Sequence, residues 1–490
     1  MAHSDHTHPD SLDPHDWDQF REACMQAVDM AAGHFQRTGQ GPIWTEASDT
    51  SRATFSGALP SNPRPVEEVL TELETQLLPY TLGNSDPRFF GWVHGAGTPW
   101  GALAEFVSGT LNANMGGRNH APHLVEQQVI RWFRDAFGLP DGTGGLLVSG
   151  TSMASVVGLA CARHRATSGS VRRRGLPGTA PLVGYTSADA HISVKDAFSL
   201  LGLGSDHLQP VETREDGTLD PAALDRAIRR DLREGLSPFV VVANVGSVTC
   251  GAIDDMMAIR QVADRHGLWV HVDGAFGAAG ILTPEIAPRL AGIQEADSLA
   301  MDFHKWFHVP YDAGLILVRD GELQKETFGG RADYLTSLPA GPGSGDTWPC
   351  DLGPELSRGF RALKVWFTLQ ALGSRRIGEA VARNCHQAQW LRERVDAHPQ
   401  LQRIGPADLN IVNFRFNPAG GPTVGDLNDL NRQILLELHG RGLAIPSPLR
   451  RGKDLCIRVC LCNHRTRTED LERLVENVVS LGREMVTQAA

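Results

Sequence analysis

From about residue 120 onward, short apolar runs alternate with helical segments, and this alternation leaves the chain few architectures. The runs Gly145–Val148, Pro181–Tyr185, Phe239–Ala243, Trp269–Val272 and Gly314–Val318 read as strands. Between and around them, Leu124–Phe137, Ser152–Arg165, Pro221–Arg233 and Met256–His266 read as helices. Strands buried on both faces appear as continuous apolar runs, and parallel strands need crossover helices. The pattern therefore predicts an α/β fold with a mainly parallel sheet. Such a sheet binds ligands beyond the carboxyl ends of its strands. Functional residues are expected just after the strands.

The ends of the chain read differently. Helical patterns at Ser357–Leu372 and Ala380–His398 are followed by strand-like Ile411–Phe416 and Leu455–Leu461, which bracket a helix at Leu427–His439. This predicts a smaller C-terminal α+β domain. At the front, the Pro-rich stretch 57–65 precedes a helix predicted over Val66–Leu78, with apolar positions at Val69, Leu70, Leu73 and Leu77. The expected division is an N-terminal helical segment at 1–86, a large α/β domain at 87–355 and the small domain at 356–490. The first segment is too small to fold alone and is expected to pack at a dimer interface. Between Leu338 and Gly353 runs a long loop rich in Gly and Pro, of the kind that serves as a lid.

Composition narrows the function classes. The net charge of −11 speaks against nucleic-acid binding, which needs a basic surface. No apolar stretch reaches the roughly 18 residues of a membrane span. The polar start Met1–His6 lacks the basic and apolar regions of a signal peptide, so a cytoplasmic location is expected. Eight cysteines without regular spacing fit reduced thiols. Two groups invite a metal reading: His3, His6, His8 and His15, and Cys456, Cys460 and Cys462. The first sits in a polar tail, and the second falls on one face of a strand as small apolar residues. No metal is expected at either.

Five elements carry chemistry, and each also has a plain structural use. Ser149-Gly150-Thr151-Ser152 follows a strand and opens a helix, offering N–H groups, hydroxyls and a favourable dipole to a phosphate, or simply capping the helix. His191 follows the strand Pro181–Tyr185 and is placed to stack on a flat ring, or to serve structurally. Ser247 sits in the turn after Phe239–Ala243. Asp273 ends the run Trp269–Val272, where a carboxylate either pairs with a protonated ring nitrogen or caps a turn. Last comes Asp302-Phe303-His304-Lys305-Trp306. Burial lowers a lysine's pKa and frees the amine to form an imine, although most lysines lie on the surface.

Taken in order, these elements resemble the group II pyridoxal-phosphate decarboxylases, the family of aromatic L-amino-acid, histidine and glutamate decarboxylases. The Asp-x-His-Lys-Trp block with the upstream His271-Val272-Asp273 block is specific, and the likeness runs from about Pro87 to the C-terminus. The resemblance implies a fold type I enzyme, a homodimer, and pyridoxal 5′-phosphate held as a Schiff base on Lys305. It implies that Asp273 partners the pyridine nitrogen, His191 stacks on the ring and Ala275 lies under it. Gly150, Thr151 and Ser152 would hold the phosphate, Ser247 would give a hydroxyl contact, and Asp302 and His304 would flank the cofactor. The catalytic set is Lys305, His191 and Asp273. The activity implied is decarboxylation of an aromatic or bulky L-amino acid to its amine and carbon dioxide. A cofactor-binding dimer without catalysis is disfavoured by the intact Lys305, Asp273 and His191.

Two departures from the family pattern bear on the reaction. The stretch corresponding to the family's tyrosine-bearing mobile loop, Gly341–Pro354, has no tyrosine, and the nearest is Tyr334. That leaves His191, water or a second subunit as proton donor, and it opens a runner-up: decarboxylation with oxidative deamination to an aldehyde. The substrate-side segment Pro87–Gly95 and the residues after it offer Phe90, Trp92 and Trp100 for an aromatic pocket, or as plain core, with His94 where aromatic decarboxylases have proline and Gly95 where they have a hydroxyl residue.

Overall fold

The computed structural model describes residues 11–176, 178, 180–330, 337–418 and 424–489. Its strands are β1 (Phe89–Phe90), β2 (Gly144–Val148), β3 (Leu182–Ser187), β4 (Leu208–Val211), β5 (Ser237–Asn244), β6 (Trp269–Asp273), β7 (Ser298–Asp302), β8 (Gly314–Val318), β9 (Leu401–Arg403), β10 (Ile411–Phe416), β11 (Ile445–Arg451) and β12 (Asp454–Cys460). Seven form one sheet in the order β2-β8-β7-β6-β5-β3-β4. The pairs from β7 through β4 are parallel, and β8 runs antiparallel to both of its neighbours. The expected mainly parallel α/β sheet is therefore present.

Both faces of this sheet are covered, which explains the continuous apolar runs. On one face Val157 and Leu159 of the helix Thr151–Ala166 and Phe198 of the helix Ile192–Leu200 pack against Val240, Val242 and Ile316. On the other, the helices Ala121–Ala136, Pro221–Arg233 and Met256–His266 bury Val129, Phe133, Leu224, Ile228 and Ile259 against Val241, Val270 and Leu315. Each such side chain contributes about 1.5–3 kcal/mol on burial. Helix Thr151–Ala166 lies close on the sheet at Gly158, where a Cβ would stand 2.7 Å from His271 Nδ1.

The second sheet has the order β1-β11-β12-β10-β9. Helices Ser374–Ala397, Val424–Gly440 and Thr468–Ala489 cover it, and Leu391, Ile434, Leu474 and Val478 meet Phe414, Phe416 and Ile457 in its core. Phe89–Phe90, expected in the larger unit, pairs in parallel with Ile445–Pro446 at the edge of this smaller sheet. The predicted helix from Val66 is α-helical to Glu72, then widens into a π turn at Leu73–Leu77 and tightens at Leu78–Tyr80. Cys456, Cys460 and Cys462 are buried free thiols. Among the described residues no group of His, Cys, Asp or Glu is arranged to hold a metal, and no helix is long and apolar enough to cross a membrane. His3, His6, His8 and Tyr334 lie outside the described residues.

Candidate active site

The carboxyl ends of β2, β3, β5, β6 and β7 point to one edge of the large sheet, because these strands share one direction. Residues just beyond them therefore converge. They line a cavity of about 500 Å³ whose walls include Ser149–Ser152, His191, Asp273, Ala275, Asp302, His304 and Lys305. Trp92 and His94 line it as well.

Lys305 lies one turn past β7, with its Nζ 2.9 Å from Asp302 Oδ2. Burial alone pulls the amine's pKa down, as the sequence reading expected. The neighbouring Asp302 carboxylate and, beyond it, Asp273 outweigh burial, and the net shift is upward. Lys305 is thus held as an ion-paired ammonium. The other Asp302 oxygen accepts the Thr151 N–H at 2.6 Å, tying the lysine turn to the helix that begins at Thr151. His304 Nδ1 accepts the Ala313 N–H at 3.0 Å, which leaves its proton on Nε2, 3.6 Å from Asp302.

Asp273 is 5 % exposed and accepts the Ala275 N–H at 3.1 Å. Burial raises its pKa; Lys305 and His191 pull the other way. Two buried carboxylates thus face one ammonium, and the cavity favours a further positive N–H beside Asp273. His191 caps the helix Ile192–Leu200. Its Nδ1 accepts the Ser193 N–H at 3.2 Å and lies 2.8 Å from the Ser193 hydroxyl. Burial lowers its pKa, so the ring is neutral and carries its proton on Nε2.

Gly150, at the N-cap of helix Thr151–Ala166, has no side chain to cap it; Asp302 takes the Thr151 N–H, and no side-chain cap from the N-cap residue meets the N–H groups of Ser152 and Met153. Thr151 is buried, and its Oγ1 has no hydrogen-bond partner. Gly150 and Gly314 touch closely, since a Cβ on Gly314 would lie 2.6 Å from Gly150 Cα. An orphaned hydroxyl and an uncapped helix start fit a phosphate, and the Asp273 carboxylate fits a protonated ring nitrogen. The donor set therefore suits pyridoxal 5′-phosphate.

Ser247 is placed elsewhere. Its hydroxyl sits 3.2 Å from Cys250 Sγ and accepts the Ala252 N–H, so it closes its own turn while Asn244, Gly246 and Val248 line the cavity. Gly95 packs behind the lysine turn. A Cβ there would stand 2.0 Å from the His304 carbonyl oxygen, which explains a glycine at that position.

The sequence reading missed Tyr311 and Arg458. Tyr311 packs over His304 with ring centroids 4.3 Å apart and meets the edge of His94 at 6.1 Å. His94 in turn stacks on Trp92 at 5.5 Å. Burial raises the Tyr311 pKa, so the phenol keeps its proton. Arg458 comes from β12, in the other sheet. It donates to the carbonyls of Val248 and Trp92 and has no carboxylate partner among the described residues. No residue of Gly341–Pro354 lines this cavity. Tyr311 offered a signal, since it lies six residues after Lys305; Arg458 offered none without the fold.

A half-buried lysine facing two strand-end carboxylates, beside an anion-ready helix start, defines a cofactor-dependent α/β enzyme that works through an amine. Residues 49–417 match the model of the pyridoxal-dependent decarboxylase conserved domain. An aromatic-L-amino-acid decarboxylase of Bacillus atrophaeus is 29% identical, covering 96% of each chain. A phenylacetaldehyde synthase of Arabidopsis thaliana is 26% identical, covering 88% of this chain and 89% of its own. The fold matches Oryza sativa TDC, solved with PLP and tryptamine, at a TM-score of 0.89 and 23% identity, covering 97% of this chain and 100% of that one. The chain belongs to the pyridoxal-dependent decarboxylase family: it is a carboxy-lyase that acts on an amino acid and uses pyridoxal 5′-phosphate.

Proposed function

We propose that the chain converts a bulky, aromatic L-amino acid to its amine and carbon dioxide, with Lys305 carrying the cofactor as a Schiff base. The observation behind this reading is the Lys305 amine, 2.9 Å from Asp302, in a cavity walled by Trp92, His94 and Tyr311. When the cofactor is bound, Asp273 would keep its ring nitrogen protonated, and His191 would stack on the ring with its Nε2–H available to a substrate oxygen. Gly150, Thr151 and Ser152 hold the phosphate. Ala275 would lie under the ring, and Asp302 and His304 orient the lysine turn. Arg458 supplies positive potential toward a carboxylate-bearing substrate. When bound, the cofactor provides a ring that accepts the electron pair left behind as carbon dioxide departs. The protein's part is to orient that bond and exclude water.

The enzyme acts in this reading as a homodimer in the cytoplasm. Leu103, Phe106, Val107 and Leu111 leave one face of the helix Pro99–Leu111 apolar and exposed, and Trp17, Phe20 and Met25 do the same on Trp17–Gln36. Such a patch fits a second copy. Sedimentation at micromolar concentration should give twice the chain mass; a monomer would overturn the dimer.

Lys305→Ala should abolish the visible absorbance of the cofactor-saturated protein and its carbon dioxide release. A band that survives the substitution would refute the assignment. The second reading, release of an aldehyde, rests on the loop Gly341–Pro354, which has no tyrosine, and on the likeness to the phenylacetaldehyde synthase. Amine without peroxide from an aromatic amino acid supports the first reading; aldehyde with ammonia and peroxide supports the second.

A further inference from the structure

A second cavity, of about 380 Å³, lies at the far end of the lysine turn. Lys305 lines the first cavity and His308 the second, and the His308 N–H donates to the Lys305 carbonyl at 3.2 Å. His308 is 2 % exposed and held at φ 59°, in the left-handed region that few non-glycine residues occupy. Neither of its ring nitrogens has a hydrogen-bond partner. Two unpaired polar atoms on one buried ring are costly unless something in the cavity meets them.

The surroundings show what would meet them. His464 packs edge-on against His308, with centroids 4.9 Å apart, and its Nε2–H donates to the Gly97 carbonyl. Arg376 and Arg383 line the cavity from the helix Ser374–Ala397, and neither has a carboxylate partner among the described residues. Arg383 donates to the His464 carbonyl at 2.9 Å. Arg465 stands alongside and donates to the carbonyls of Ala96 and Gly97. The one carboxylate in the wall, Glu379, is 3.5 Å from Arg375 and engaged there. Burial and then these cations lower both histidines, His464 to about 4, as expected where the local potential is positive. Trp100 and Leu372 complete the wall with apolar surface.

We propose that this cavity binds a small oxyanion, with a carboxylate or phosphate head met by His308, Arg376 and Arg383 and an apolar body against Trp100. The site is separate from the cofactor cavity, and its existence does not depend on which amino acid is decarboxylated.

Calorimetric titration of the full-length, cofactor-loaded protein with inorganic phosphate tests it, with acetate titrated separately to establish the head group. Loading keeps the Ser149–Ser152 turn occupied, so phosphate cannot report on that site. Saturable binding of either anion is expected, and Arg376→Gln with Arg383→Gln should weaken it roughly tenfold or more, the scale of a lost charge-assisted hydrogen bond. His308→Leu provides a second measurement. Phosphate or acetate should raise the melting temperature of the parent and leave that of the variant unchanged. Absence of saturable binding at millimolar anion, or unchanged affinity in the double arginine variant, would overturn the proposal.

Discussion

Gly95→Ala gives the sharpest test of how the lysine turn is supported. A Cβ at this position would lie 2.0 Å from the His304 carbonyl oxygen and 2.6 Å from that of Lys305. Both obstacles are backbone, and the turn that carries them is fastened. Phe303 and His304 donate to the Ala313 carbonyl, Ala313 donates to the His304 ring, and Val309 donates to the Phe303 carbonyl. Acceptable contact requires the segment 94–96 or the turn to move by about an ångström, a strain that costs about 1–3 kcal/mol. A shift of that size at the Lys305 amine lowers turnover by about a hundredfold. Urea unfolding and carbon dioxide release, measured on the same preparation, should show both effects. Gly440→Ala, where nothing lies within 4 Å of the added atom, is the control and should be neutral. Activity of Gly95→Ala within about twofold of the parent, with unchanged stability, would refute the claim that this glycine is required by backbone contact.

Other consequences follow from particular buried groups. Glu126 and Arg358 form a buried pair that also binds the backbone of Leu147 and Met115, so Glu126→Leu should lose about 3–5 kcal/mol in urea unfolding, and adding Arg358→Leu should restore part of it. His271 is fully buried between Ser298 and Ser155 and lowered by burial to about 3, so below pH 6.5 the unfolded chain takes up a proton that the native chain refuses. Stability should therefore fall as pH drops from 6.5 toward 3, by about 2 kcal/mol at pH 5 from this residue, and His271→Asn should flatten that slope in paired unfolding curves at pH 5 and 7.5. Tyr311→Phe tests whether this phenol of the cavity wall supplies the proton that the tyrosine-free loop Gly341–Pro354 cannot: in that case the variant keeps the cofactor absorbance and slows amine release by on the order of a hundredfold. Unchanged amine turnover in that variant would show that the proton comes from elsewhere.

The fold was legible where the pattern was strong, and its gaps have physical causes. Pro221–Arg233 and Met256–His266 match their predicted bounds because each begins after an aspartate that caps it, Asp220 and Asp255, and carries one apolar face. Gly314–Val318 and Ile411–Phe416 match because runs of branched residues bounded by polar turns have few alternatives. The strand Ser298–Asp302 was not foreseen. Ser-Leu-Ala-Met-Asp has no β-branched residue, and it is a strand because β6 and β8 flank it and supply its hydrogen bonds. Phe89–Phe90 joins the small sheet for a similar reason, as its partner lies more than 350 residues away in sequence at Ile445–Pro446.

The same distinction runs through the candidate site. Residues at strand ends were visible because strand direction alone brings them together, and Lys305, Asp273, His191 and Thr151 converge on that account. Ser247 shares the location without the orientation. It lies between Gly246, at φ 89°, and Val248, and its hydroxyl turns back to the Ala252 N–H. Arg458 is the converse case. It reaches the cavity from the small sheet, where only the packing of the two units brings Trp92, Val248 and β12 into contact. Tyr311 is intermediate, close to Lys305 in sequence but outside the loop where a tyrosine is sought. A cavity closed by Arg458 and Tyr311, with His94, Trp92 and Phe89 clustered at mutual ring separations of 5.5, 5.9 and 6.1 Å, presents an aromatic wall and a positive charge. The strand-end wall of the cavity is thus written locally, and its aromatic and cationic wall is assembled from distant segments. That is why the cofactor could be read from the sequence and the amino acid could not.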